Sequence, residues 1–117
     1  MTNKELILQI AKALDAKKAQ DIIIVDIAEK SGFADYFLIA DAGNARLLEA
    51  LADEAEDKMA QLGEELHHKE GVGESGWILL DFGDIIINLF TKAQRDHYNI
   101  EKVWADCDRV EYEAERN

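Results

Sequence analysis

Gly76-Trp-Ile-Leu-Leu-Asp-Phe-Gly-Asp-Ile-Ile-Ile-Asn-Leu-Phe90 decides the fold, because two apolar runs meet there at a short polar turn. Trp77 to Leu80 and Ile85 to Phe90 are rich in β-branched and aromatic residues. Asp81-Phe82-Gly83-Asp84 between them supplies the break of a hairpin, and Gly83 is free to take the positive φ that a tight connection needs. Within the runs apolar residues do not alternate with polar ones. The hairpin is therefore expected at the centre of a sheet, covered on both faces or using one of them.

Working outward, Thr2-Asn3-Lys4-Glu5 has the spacing of a capping box, and Leu6, Ile7, Ile10 and Leu14 follow at helical spacing, which predicts an amphipathic helix over 3–18. Asp21 to Asp26 reads as a buried strand and Phe33 to Ala40 as a second one. Asp41 to Asn44 reads as a loop, with Asn44 as the N-cap of the longest helix. The stripe of that helix is Leu47, Leu48, Leu51, Ala55, Met59 and Leu62, and Gly63 ends it. Glu64 to Glu70 is expected as a polar edge strand, followed by a glycine-punctuated loop, Gly71 to Gly76. After the hairpin, Thr91-Lys-Ala-Gln94 resembles another capping box that opens a short helix through Tyr98, and Asn99 caps a last turn with Ile100, Val103 and Trp104. The order of elements implies an α/β or α+β sheet domain over 1–110, with a charged, frayed tail at 111–117.

The chain has 117 residues, 48% of them hydrophobic, which is enough for a core without disulfides or a structural metal. Its lone cysteine, Cys107, and the lack of zinc-site spacing suit a reducing compartment. No apolar run approaches the roughly 20 residues of a membrane span, and the N-terminus lacks the order of a signal peptide, so a cytoplasmic location and no membrane contact are expected. Acidic residues outnumber basic ones 25 to 13, a formal charge of −12. Nucleic acid is gripped by lysine and arginine that displace counterions, so direct binding to it is not expected. A basic protein partner is compatible with the charge.

Several residue sets could carry chemistry. Asp81 with Asp84, joined by Asp26, could hold magnesium for a metal-dependent nucleotidyltransferase reaction. The first two also flank a turn, where aspartate is expected for its local hydrogen bonds, and that structural reading is the stronger. Gly71, Gly73 and Gly76 have G-x-G-x-x-G spacing but open onto a strand rather than a helix, which removes a dinucleotide site. Ser75 or Cys107 with His97 lacks any nucleophile elbow, and His67-His68 would point to opposite sides of a strand. Tyr36, Trp77, Phe90, Tyr98 and Trp104 are better candidates, as interface anchors if they gather on one sheet face and as core packing if they do not.

Phe33 to Ala40, the helix with Arg46 and Ala52-Asp53-Glu54, Gly76 to Asp84, Phe90, Arg95, Tyr98 and Ile100 to Asp106 together form a recognisable series. In order and spacing it resembles the ribosomal silencing factor family, RsfS, also called Iojap-like, over about residues 5–110. The G-W-x-L-L-D-x-G-D block followed by R-x-x-Y and W-x-D is its specific part. The resemblance implies a mixed five-stranded sheet with flanking helices, related to the nucleotidyltransferase fold but without an enzymatic activity, cofactor or metal. It also implies a function: binding the large-subunit ribosomal protein L-fourteen on the 50S subunit, so that the small subunit cannot join and translation is repressed.

On this reading Tyr36, Trp77, Leu79, Phe90, Tyr98 and Trp104 are expected as desolvated partner-binding anchors, and Asp81 and Arg95 as polar groups that fix orientation. Two positions depart from the family pattern: Asn88 stands where a histidine is usual, and Asp41 to Asn44 where a Ser/Thr-rich loop is usual. The alternatives are the nucleotidyltransferase using Asp81 and Asp84, and a homodimer formed through the same apolar face.

Overall fold

The computed structural model describes residues 1–112. Helix α1 (Asn3–Ala16) opens with the expected capping box: the Glu5 amide donates to Thr2 Oγ1 at 3.1 Å and the Thr2 amide to the Glu5 carboxylate at 3.0 Å. It ends two residues earlier than expected because Lys18 turns left-handed, with φ 71°. Helix α2 (Ala45–Gln61) is capped by Asn44, whose side chain accepts from the Leu47 amide at 2.8 Å. Both helices bury one apolar stripe, Leu6, Ile7, Ile10 and Leu14 in α1 and Leu48, Leu51, Ala55 and Met59 in α2.

Strands β1 (Gln20–Asp26), β2 (Tyr36–Ala42), β3 (His68–Glu70), β4 (Trp77–Asp81), β5 (Ile85–Thr91) and β6 (Arg109–Val110) form one sheet in the order β3-β4-β5-β2-β1-β6. β2 and β5 run parallel at its centre, and the other neighbours are antiparallel, so the sheet is mixed as expected. It has six strands rather than five, since the two-residue β6 pairs with β1, a segment too short to carry any alternation. The hairpin β4–β5 turns at Gly83 with φ 91°.

β2 differs from expectation at both ends. It begins at Tyr36, not Phe33, because Ser31 Oγ accepts from the amides of Phe33 and Ala34 and holds them in a turn. It continues through Asp41 and Ala42, so half of the expected loop is strand, and Asp41 is buried.

Alternation then divides each strand between two faces. Leu38, Ala40, Ile78, Leu80, Ile85, Ile87 and Leu89 meet α1 and α2 in one core. Val25, Phe37, Ile39, Ile86 and Phe90 make a smaller core on the opposite face, with half-buried Ile23, Trp77, Leu79, Ile100, Trp104 and Cys107 packed around it. Among the described residues, that second face is bordered by the short helix α3 (Lys92–Tyr98) and the 3-10 turn Ile100–Trp104. Tyr112 packs against the first core and its hydroxyl donates to Asp15 Oδ2 at 3.0 Å. The rest of the expected tail, 113–117, lies outside the described residues.

Candidate functional site

Trp77 begins β4, and two left-handed glycines set its entry. A Cβ on Gly71 (φ 88°) would stand 2.0 Å from the Trp77 carbonyl oxygen, and one on Gly76 (φ 80°) 2.4 Å from Gln94 Cγ. Only glycine allows both approaches. In register Trp77 lies opposite Phe90, which is fully buried, and the rings stack with centroids 5.0 Å apart. Tyr98, at the end of α3, packs on the indole at 4.7 Å in a tilted contact, lies 6.4 Å from Phe90, and is 49% exposed. The Trp77 Nε1–H donates to Asn88 Oδ1 at 3.0 Å. Trp77, Leu79 and Tyr98 line a shallow pocket of about 240 Å³ with Glu70, Gly71 and Ser75.

A second aromatic group lies toward the other end of the same face. Trp104 packs on Phe37 at 5.5 Å and on Phe33 at 6.4 Å, and Phe33 is 61% exposed. Two half-open aromatic groups on one sheet face, with an aliphatic floor between them, make an adhesive surface.

The family model described as "Ribosomal silencing factor during starvation" matches residues 1–117. The chain belongs to the RsfS family. The ribosomal silencing factor RsfS of Bacillus subtilis is 36% identical over 107 residues, spanning 92% of this chain and 91% of that protein. That of Halalkalibacterium halodurans is 34% identical over 114 residues, 97% of each. A crystal structure from Chromobacterium violaceum superposes with a TM-score of 0.86 at 28% identity, covering 90% of this chain and 88% of that one. RsfS is thus a translation-regulating family associated with the ribosome, named for silencing rather than for catalysis.

Within this RsfS domain the expected site residues divide into three groups. Trp77, Leu79, Tyr98 and Trp104 share the aromatic face and reach its surface. Phe90 and Arg95 are buried and can only support it. Arg95 Nη1 donates to Asp41 Oδ2 at 3.0 Å and to the Asp21 carbonyl at 2.6 Å, while its Nε donates to Glu101 at 2.7 Å. Arg95 therefore ties α3 and the following turn to β1 and β2 from a buried position. Burial pushes the Asp41 carboxyl above its usual range, and the hydrogen bond from Arg95 opposes that rise.

Tyr36 is not brought to the others. Its side chain packs with the α1–α2 core, on the opposite face, and burial followed by the charges of Asp26 and Asp35 raises its phenol. Asp81 serves the hairpin, its Oδ1 accepting from the Gly83 amide at 2.8 Å. Asp84 Oδ2 accepts from Asn3 Nδ2 at 3.2 Å, and Asp26 Oδ1 from the Ala28 amide at 3.1 Å. The three carboxylates of the nucleotidyltransferase alternative thus make three separate bonds, two within their own turns and one to α1. No group of three or more His, Cys, Asp or Glu among the described residues is placed to hold a metal ion. No helix among them is long and apolar enough to cross a membrane.

Proposed function

We propose that this chain represses translation in the cytoplasm by docking on the large ribosomal subunit through the aromatic face, on the protein L-fourteen, and occupying ground that the small subunit needs in order to join. The observation that carries this reading is the Trp77–Tyr98 pair, raised over buried Phe90 on a sheet face that α1 and α2 leave open. Trp77, Leu79 and Tyr98 fill pockets on the partner, and Trp104 with Phe33 extends the contact. An interface of about 1,600 Å² in total is enough when a few aromatic side chains fill pockets. The charge of −12 favours a basic ribosomal protein over RNA and speeds encounter with it. Steric occlusion needs no catalytic group.

Co-sedimentation with isolated large and small subunits, with and without magnesium-driven joining, tests the reading. Retention on the large subunit together with fewer joined ribosomes is expected. Failure to bind either subunit at low salt would overturn it, and retention that a variant L-fourteen surface does not weaken would move the contact to another large-subunit protein.

A further inference from the structure

Asn88 is fully buried in the middle of β5, flanked in register by Ile39 of β2 and Leu79 of β4. Ile86 and Phe90, two residues away along the strand, share its face. Its surroundings are otherwise apolar. An indole N–H can only donate, so the bond from Trp77 at 3.0 Å requires the amide oxygen on the Trp77 side. The Asn88 Nδ2 then points away and finds no acceptor. A buried donor without a partner is unfavourable, and an aliphatic side chain of similar volume would remove that penalty, while the N–H of half-buried Trp77, losing its acceptor, would have to turn toward water. What Asn88 contributes is orientation. Stacking on Phe90, with Tyr98 packed against the indole in a tilted contact, fixes the plane of the Trp77 ring but tolerates rotation within that plane, whereas a single hydrogen bond at Nε1 selects which edge faces the floor and which faces outward.

We propose that Asn88 is a positioning residue of the docking face, holding the Trp77 indole in the orientation the partner meets, in a place where an aliphatic residue would serve stability better. This rests on the docking reading above. It goes beyond that reading by separating what the second face needs for folding from what it needs for recognition. A residue kept for orientation predicts that binding and stability move in opposite directions when it is replaced, an outcome no core-packing role produces.

The test compares the parent chain with Asn88→Leu, Trp77→Phe and the double variant. Each is measured for melting temperature, for the indole N–H signals in NMR, and for affinity to isolated large subunits by sedimentation titration. Trp77→Phe identifies the Trp77 signal by its disappearance. For Asn88→Leu the melting temperature is expected to hold or rise, the Trp77 indole proton to shift upfield and exchange faster, and binding to weaken about tenfold. In the Trp77→Phe background the same replacement is expected to change affinity by less than about twofold, because the bond it would break is already gone. Asn88→Val covers the case in which leucine overfills the site.

Binding unchanged in Asn88→Leu and Asn88→Val overturns the proposal, as does a loss of equal size in the Trp77→Phe background or one that tracks a falling melting temperature. A parent chain that fails to bind, or a Trp77→Ala variant that binds like the parent, removes the docking reading itself and this inference with it. Normal parent binding with loss in Trp77→Ala isolates any failure to Asn88.

Discussion

Leu38 and Phe37 are neighbours on β2 that face opposite sides of the sheet, and their surroundings differ in kind. Leu38 lies beneath two long helices in a core of leucine, isoleucine and alanine, where the apolar surface is fully consumed by the chain itself. Phe37 belongs to a thinner core that ends in half-exposed rings, Trp104 above it and Trp77 with Tyr98 farther along. The first face is built from flexible aliphatics that interlock, the second from flat rings whose outer sides stay open. One sheet thus serves folding with one side and presents apolar surface with the other, a division that soluble monomers seldom keep without a partner.

If that division is right, the largest effect on stability belongs to the first face. Leu38→Ala is expected to lower unfolding free energy by about 2–5 kcal/mol, read from urea denaturation, while the protein that remains folded is retained on large subunits as well as the parent. Loss of retention by folded Leu38→Ala would break the separation of the faces. Trp77→Ala is expected to do the reverse, weakening large-subunit binding by about 2 kcal/mol or more, on the order of thirtyfold, with the circular dichroism spectrum preserved. Unfolding of that variant would instead assign Trp77 to the core.

Tyr98→Ala sharpens the contrast within the open face. Because the ring is half exposed, the cost to stability should be no more than about 0.5 kcal/mol, against about 1 kcal/mol in binding measured by the same sedimentation titration. The smallest effect concerns charge. Raising ionic strength should slow association with the large subunit by a modest factor and leave dissociation nearly unchanged, as stopped-flow mixing can show. A salt-independent on-rate would mean that the charge of −12 plays no part in finding the partner.

Much of this architecture is legible in the sequence. The caps at Thr2 and Asn44, the helical stripes of α1 and α2 and the β4–β5 hairpin all follow local rules, and the structure keeps them. What is not legible depends on contacts between distant residues. Asp41 looks like a loop residue beside Gly43, yet it closes a buried pair with Arg95, and no local pattern connects positions so far apart. Arg95 looks like a surface cation for the same reason. Tyr36 falls on the opposite face from Trp77 because a strand apolar on both sides carries no alternation from which its facing could be read. Thr91 has capping-box spacing, but its side chain makes no capping bond. Asn88 stands in the sequence as a lone polar residue inside an apolar run and as a departure from the family pattern, but only the structure shows that it bonds Trp77.

The parallel pairing of β2 with β5 has a kinetic consequence. Tyr36 sits opposite Ile85 and Ala42 opposite Thr91, so the centre of the sheet is a long-range contact that no hairpin can supply. Closing it requires a long loop, containing α2, β3 and β4, to be gathered first, and the entropy of that closure precedes any reward from packing. A chain emerging from its own synthesis can form α1, the β1–β2 pair and α2 early, but neither core can be completed until residue 91 is available. The aromatic face and the folding core therefore mature in one late event. A nascent or truncated chain ending before β5 has no Phe90 for Trp77 to stack on, so the aromatic face is absent from it rather than half built.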